Sequence, residues 1–225
     1  MSATRPQEDA AVLLVDVVGS SVLEDFVSGR DRRIGQLNER HQARDWIAAP
    51  YTVTAWDEFQ SVLWRLPTIP PILLDIRRVF APWEVYVAVG IGEVTGDRSR
   101  KPINEALSGA GFDRARQAMD ALKSSKGDKY RRLTRFRSND PERDTLLDLV
   151  YGLHDSLMQQ ITARQWETIA AALDFDNQED VAAHLHVQPS TVTRNLKRGH
   201  FWQLKDTAET VSAILAREAA SGTIS

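Results

Sequence analysis

The segment from Gln178 to Gly199 constrains the fold more than any other part of the sequence. Apolar residues recur at helical spacing up to Leu185, a short turn follows, and Val192 and Leu196 form the apolar face of a second helix. Pro189 stands where the first turn of a helix tolerates a missing N–H. The segment therefore predicts two helices joined by a tight turn, which is a helix-turn-helix.

The second of these helices carries polar side chains that suit DNA at the positions outside its apolar face. No acidic residue occurs between Pro189 and Arg198, whereas an ordinary solvated helix mixes acidic and basic residues. Hydroxyl, amide and cationic side chains bond to base edges and phosphates. We therefore predict DNA contacts from Gln188, Ser190, Thr191, Thr193, Arg194, Asn195, Lys197 and Arg198. A purely structural helical hairpin is the alternative, because many helix pairs imitate this pattern.

The surrounding sequence extends this pair into a helical domain. Thr162 to Gln165 forms a capping-box pattern that begins a supporting helix, and a closing helix is predicted over 204–219. A polar stretch at 138–143 predicts a boundary, with one domain at 1–140 and a helical domain at 141–225. An apolar stripe on the helix predicted over 145–158 indicates either a dimerisation element or packing against the helical domain itself.

Composition limits the classes of function that the chain can have. The 225 residues contain no cysteine, which excludes a disulfide framework, a thiolate nucleophile and a thiolate metal site. The formal net charge is −3, but residues 98–137 hold twelve Lys and Arg against four Asp and Glu. That basic stretch suits phosphates, or is a solvated surface. The start of the sequence has no secretion-signal pattern and no apolar run approaches a membrane span, so we expect a cytoplasmic protein without membrane contact.

The first 137 residues alternate strand and helix patterns. Residues 11–18 form an apolar run typical of a buried central strand, interrupted only by Asp16. Helices are predicted over 31–47, 70–80 and 111–122. Further strands are predicted over 51–55, 84–94 and 129–136, and another strand follows the turn at 56–60. This order predicts an α+β fold, a ferredoxin-like or palm-type sheet with helices on one face, followed by the all-α helix-turn-helix domain.

Four short motifs carry a resemblance to a known family. They are DVVGSS at the end of the first strand, DEFQ in the turn, GIGEVTG at the end of a later strand and GAGFDRAR at a helix start. Together they resemble the SatD-like family of bacterial proteins, in which a C-terminal helix-turn-helix also fits. More distantly the motifs resemble the palm domains of class III nucleotide cyclases and diguanylate cyclases.

The resemblance to the cyclases implies a site at the end of the first strand. Asp16 and Asp57 would hold Mg²⁺ or Mn²⁺ on a nucleotide, with Glu58 beside them and Gly19, Ser20 and Ser21 cradling a phosphate. Trp56 departs from the pattern, since diguanylate cyclases have glycine before the acidic turn residues. The alternative is that the two aspartates are a structural, hydrogen-bonded pair.

The function that we expect from the sequence is a homodimeric DNA-binding transcriptional regulator whose first domain binds a nucleotide, a divalent metal or both. The alternative is a metal-dependent nucleotidyl cyclase or nucleotidyltransferase with an accessory helix-turn-helix. Asp16 and Asp57 favour the enzyme, and Trp56 opposes it because its bulk fills space that the nucleotide needs.

Overall fold

The computed structural model of the protein describes residues 10–96, 106–124 and 131–221. Five strands form the main sheet and two short strands form a separate pair. The strands are β1 (Ala10–Val17), β2 (Ala49–Val53), β3 (Glu58–Leu63), β4 (Val85–Gly92), β5 (Thr95–Gly96), β6 (Leu107–Ser108) and β7 (Thr134–Arg137). Residues 129 and 130, where the last strand was predicted to begin, lie outside the described residues.

The main sheet is mixed, with the order β2-β3-β1-β4-β7. Strand β1 is central and runs antiparallel to both β3 and β4, while β7 runs parallel to β4 at one edge. All eight residues of β1 are buried, as the apolar run in the sequence predicts. The register of β1 with β3 places Asp16 opposite Glu58.

The described residues hold eight α-helices and two short 3₁₀ helices, Ser20–Val22 and Leu66–Thr68. The α-helices are α1 (Phe26–Ala43), α2 (Ile69–Phe80), α3 (Ala110–Ser124), α4 (Pro141–Met158), α5 (Ala163–Ala172), α6 (Gln178–His184), α7 (Pro189–Arg198) and α8 (Phe201–Ser221). Within the described ranges, no helix is both long enough and apolar enough to cross a bilayer.

Helices cover both faces of the main sheet, so the prediction that they lie on one face is wrong. Apolar side chains of α1, α2, α4 and α8 pack on the face formed by Leu13 and Val15 of β1. Helix α3 packs on the opposite face, against Val12 and Leu14. The reason lies in β1 itself, because a strand that is apolar at every position except Asp16 has two apolar faces to bury.

Helix α3 approaches the sheet most closely at Gly90 of β4. A side-chain carbon at this position would overlap the backbone of Gly111 and Ala115 on α3. The glycine therefore lets the helix lie directly on the strand.

We predict that Gly90→Ala lowers the free energy of unfolding by about 3 kcal/mol or more, because the added methyl group meets rigid backbone. Gly35→Ala is the matched control, since Gly35 lies within α1 and no other atom would contact its new methyl group within 4 Å. That change should stabilise the protein by about 0.5–1 kcal/mol through helix propensity. Urea denaturation of the two variants measures both effects, and equal stabilities would contradict the close approach.

Helix α4 is fixed to the sheet by a buried ionic network. The Asp155 carboxylate accepts hydrogen bonds from the backbone N–H groups of Leu133 and Thr134, both at 2.7 Å, and from the Thr134 hydroxyl at 2.9 Å. It also lies 3.5 Å from the Arg77 guanidinium of α2. Arg77 in turn donates to the carbonyls of Val85 and Leu133. Asp155 and Arg77 together thus join α4, α2, β4 and β7.

The C-terminal helices share apolar contacts with the sheet half of the protein. Ile169, Val181, Val192 and Leu196 form a cluster among α5, α6 and α7, and Leu74 of α2 belongs to the same cluster. Helix α8 contributes Leu204 to this cluster, and its Val211 and Leu215 pack in the core beside the sheet. The proposed division at 140/141 therefore separates segments that bury each other's apolar side chains.

His154 of α4 is buried, and its ring lies 5.4 Å from that of Tyr151. Its Nδ1 atom has no hydrogen-bond partner among the described residues. Burial lowers the pKa of His154 to about 4, and the nearby Arg77 charge acts in the same direction. Because the folded pKa lies below the unfolded value, the neutral ring favours folding at neutral pH, and this contribution is lost as the pH falls through 6.5 towards 4.

We predict that His154→Phe flattens the decline in stability between pH 6.5 and pH 4, because the variant has no titratable group at this buried position. The difference from the natural protein should reach roughly 3 kcal/mol near pH 4, from the size of the pKa shift. Urea unfolding at a series of pH values measures this. His184→Phe replaces an exposed histidine and should keep the natural slope. Parallel curves of unfolding free energy against pH for all three proteins would contradict the assignment of this decline to His154.

Candidate functional site

The acidic residues expected at the end of β1 do come together in the structure. The N–H of Val17 donates to the carbonyl of Asp57 at 3.0 Å, and Asp16 pairs across the strands with Glu58. The Asp57 and Glu58 charges both act on Asp16. Asp16 and Glu58 are each only 5 % exposed. Three carboxylates therefore share the edge of the sheet where β1 ends and β3 begins.

Two cationic side chains of α3 neutralise part of this acidic cluster. Arg116 binds Glu58 with two hydrogen bonds of 2.6 and 2.8 Å, and Lys123 binds Asp16. Burial raises the pKa of Asp16, although Lys123 opposes the rise. Burial also acts to raise the pKa of Glu58, but the hydrogen bonds from Arg116 and Thr54 lower it below its usual value. Asp16 and Glu58 are therefore each held in an ion pair with a basic side chain of α3.

The loop after β1 is tied to the same cluster. Gly19 has a left-handed backbone with φ of 66°, and the three-residue 3₁₀ helix that follows begins at Ser20. The Ser20 hydroxyl donates to Asp57 at 2.8 Å, while Ser21 is exposed. The predicted phosphate contacts of these residues stay a prediction, and the structure gives Ser20 a different partner within the protein.

Trp56 lies on the surface beside the cluster. Its side chain is 61 % exposed and its ring centroid lies 5.7 Å from that of Phe26. Its backbone carbonyl accepts a hydrogen bond from Arg30 of α1. The indole is therefore outside the core, at the turn where the resemblance to the cyclases requires glycine.

The cluster as arranged does not fit the two-cation site that the resemblance implies. A divalent cation needs oxygen atoms that are free to coordinate it, but Arg116 binds both carboxylate oxygens of Glu58 and Lys123 binds Oδ2 of Asp16. No group of three or more His, Cys, Asp or Glu suited to a metal ion occurs in the part of the chain that the structure describes. A cation would have to displace the two basic side chains.

We predict that the double variant Arg116→Gln and Lys123→Gln binds Mn²⁺ roughly tenfold more tightly than the natural protein, because two positive charges next to the carboxylates are removed. Calorimetric titration with Mn²⁺ measures the affinity. Adding Asp16→Asn to the double variant should abolish the gain. An affinity that is the same in the natural protein and the double variant would show that the ion pairs do not block the site.

Helices α6 and α7 are joined by a tight turn, as the sequence predicts. His186 has a left-handed backbone with φ of 52°, and the Val187 N–H donates to the carbonyl of Ala182 at 3.0 Å. The side chains of Val192 and Leu196 are buried, with 0 % and 1 % exposure. These contacts fix which side of α7 faces the protein and which side faces outward.

The outward side of α7 is basic and polar. Arg194 lies two positions from both Val192 and Leu196, about 200° around the helix from each, and therefore points away from the core. The exposed residues of the helix and its N-cap are Gln188, Pro189, Ser190, Thr193, Arg194, Lys197 and Arg198, and Thr191 is half-buried. Gln188 makes no capping hydrogen bond through its side chain.

Two residues predicted to contact DNA have partners on the supporting helices. The Asn195 amide donates to the Thr168 hydroxyl of α5 at 3.0 Å, and Thr168 is 2 % exposed. The Thr193 hydroxyl donates to the Gln178 side chain of α6 at 2.6 Å. These contacts position α7 on its two supporting helices. Base contacts from Asn195 would require its bond to be given up, so the outward Arg and Ser side chains are better placed.

A groove beside α7 contains a basic residue that the sequence pattern missed. Arg164 of α5 lines this groove with His186 of the turn and with the α7 residues Thr191, Arg194 and Arg198. Arg164 is exposed and lies in the first turn of α5. Arg164 lies next to α7 because of the way in which α5 packs. In the sequence, the only indication of this placement is that Arg164 comes two residues after Thr162, the N-cap of α5.

Comparisons with known proteins identify the family of the chain. A sequence model of the SatD family matches residues 12–209, and the chain therefore belongs to the SatD family. No curated protein sequence matches the chain. The crystal structure of a regulator of polyketide synthase expression from Bifidobacterium adolescentis is similar over 96 % of this chain and 82 % of that chain. The identity is 15 % and the TM-score is 0.32, a similarity that supports neither a shared fold nor a shared function.

Proposed function

We propose that this member of the SatD family is a transcriptional regulator that binds DNA as a homodimer through a helix-turn-helix formed by α6 and α7. The observation that carries the proposal is the outward side of α7. It presents Arg194, Lys197 and Arg198 with hydroxyl and amide side chains and no carboxylate, on a helix held firmly by its buried face. Cations position a protein on phosphates, and neutral polar groups read base edges.

The roles of the individual residues follow from their positions on the helix. Arg194, Lys197 and Arg198, with Arg164 across the groove, contact phosphates. Gln188, Ser190 and Thr191 lie at the N-terminal end of α7 and contact base edges, as the first residues of a recognition helix do. Two such helices in a dimer would read half-sites roughly 34 Å apart.

We also propose that the sheet half acts as a sensor rather than as a catalyst. Arg116 and Lys123 are half-exposed cations beside a buried acidic cluster, so a nucleotide phosphate could exchange partners with Glu58 and Asp16. Leu74 of α2 and the length of α8 link this half to the DNA-binding helices. A nucleotidyl cyclase is less well supported, since one of its two carboxylate ligands, Asp16, is paired with Lys123 and the other, Asp57, accepts a hydrogen bond from Ser20.

The DNA-binding proposal predicts separate effects for the cations and for the neutral residues of α7. Arg194→Gln or Lys197→Gln should weaken binding to all sequences and reduce the slope of log affinity against log salt by roughly one unit, because one phosphate contact is lost. Thr191→Ala should cost about 1–3 kcal/mol on the preferred sequence and little on random DNA. Gel shifts of genomic fragments at two salt concentrations measure both effects.

Lys205→Gln is the matched control for these variants. It removes one exposed positive charge from α8, where Lys205 lies 3.7 Å from Glu209, and leaves α7 unchanged. The salt slope of this variant should equal that of the natural protein. The proposal fails if no fragment is preferred over random DNA and if Lys197→Gln and Lys205→Gln bind alike.

A further inference from the structure

Helix α4 buries most of its charged side chains and exposes three of its leucines. Three leucines are well exposed, Leu146 at 64 %, Leu149 at 53 % and Leu153 at 64 %. The charged side chains after Glu142 are instead buried, and they are Arg143, Asp144, Asp148 and Asp155. The inner side of α4 already buries Leu147 and Tyr151, so an outward row of three further leucines indicates that another surface covers them.

The buried charges fix this orientation, so the helix cannot turn its leucines inward. Asp148 accepts a hydrogen bond from the backbone of Phe136 at 2.8 Å and pairs with Arg135 and Arg137. Asp155 is bound to β7 and Arg77, as described above. Rotation of α4 would break these bonds and leave buried carboxylates unpaired, at a cost of several kcal/mol.

We infer that the leucine face of α4 is the homodimer interface, in which α4 packs antiparallel against α4 of a second copy of the chain. This inference gives the dimer of the proposed function its surface. The leucine face is defined here as Leu146, Leu149 and Leu153, together with the half-buried Val150 and Leu157.

The spacing of the leucines suits a second copy in the antiparallel direction. Leu146 and Leu153 lie at equal distances in sequence on either side of the point between Leu149 and Val150. A two-fold axis through that point therefore sets Leu146 of one copy against Leu153 of the other, and Leu149 lies beside the axis. Such an isologous contact needs one surface that is complementary to itself.

The absence of charge on this face also favours a second copy over a charged partner. The exposed side chains of α4 from Thr145 to Gln160 carry no charge, so two copies meet without repulsion between like charges. The apolar surface continues onto α8 at Ile214, which is 40 % exposed. Ile214 lies one turn before Glu218, whose carboxylate is 3.9 Å from Arg143 of α4, so it lies on the side of α8 that is turned toward α4.

Disulfide cross-linking tests both the surface and the direction of pairing, because the natural chain contains no cysteine. Leu149→Cys should form a disulfide-linked dimer under mild oxidation. Leu146→Cys alone should not, since its two copies would lie roughly 10 Å apart along the helix axes. The double variant Leu146→Cys and Leu153→Cys should cross-link. Val22→Cys, at a residue that is 84 % exposed on the 3₁₀ helix Ser20–Val22, is the control and should stay monomeric in denaturing gels.

Sedimentation analysis of the full chain supplies the second measurement. The natural protein and Val22→Glu should sediment as dimers, and Leu149→Glu should sediment as a folded monomer with an unchanged circular dichroism spectrum. A monomeric natural protein, or a Leu149→Glu variant that remains dimeric, would overturn the inference. Cross-linking by Leu146→Cys alone would overturn the antiparallel arrangement.

These outcomes are independent of whether the protein binds DNA. A chain that dimerises through α4 but prefers no DNA fragment would disprove the proposed function and leave the interface intact. A chain that binds DNA while Leu149→Glu remains dimeric would disprove the interface alone. If both proposals hold, Leu149→Glu should bind one half-site and lose the tighter binding to a paired site.

Discussion

The contact between Asp155 and Arg77 is the interaction on which the arrangement of this protein most depends. Asp155 is completely buried, and it joins α4 to α2 and to the backbone of β7. A buried carboxylate is costly unless its hydrogen bonds are satisfied, and here N–H groups, a hydroxyl and a guanidinium satisfy them. The network sets the rotation of α4, and α4 leads directly into the helices that carry the proposed DNA-binding surface.

That fixed rotation explains two features that look unrelated in the sequence. The acidic residues of α4 turn inward to the edge strand, and its leucines therefore turn outward. The helices that follow share buried side chains with the sheet half through Leu74 and through α8. A change in the position of α2, which lies beside the sheet, would therefore act on the packing of α5 and α7. This physical link supports the proposal that the sheet half regulates DNA binding.

The sequence predicts where the strands and helices occur better than it predicts which residues contact one another. The run around Asp16 predicts a buried strand because its apolar residues are continuous, and the turn at His186 follows from local spacing. The first helix begins at Phe26, five residues before the predicted start, because Phe26 packs against Trp56 and Trp83 from distant segments. The ion pair of Asp16 with Lys123 and the place of Arg164 beside α7 likewise depend on residues far apart in the chain, which periodicity does not reveal.

In the proposed function, DNA binds the outward side of α7 rather than the basic residues of α3. Amide hydrogen exchange of the full chain, with and without a preferred DNA fragment, distinguishes the two surfaces directly. We expect slower exchange in α7 and in the first turn of α5, with little change in Ala110–Ser124. Protection confined to α3, where Arg116 and Lys123 lie, would contradict it.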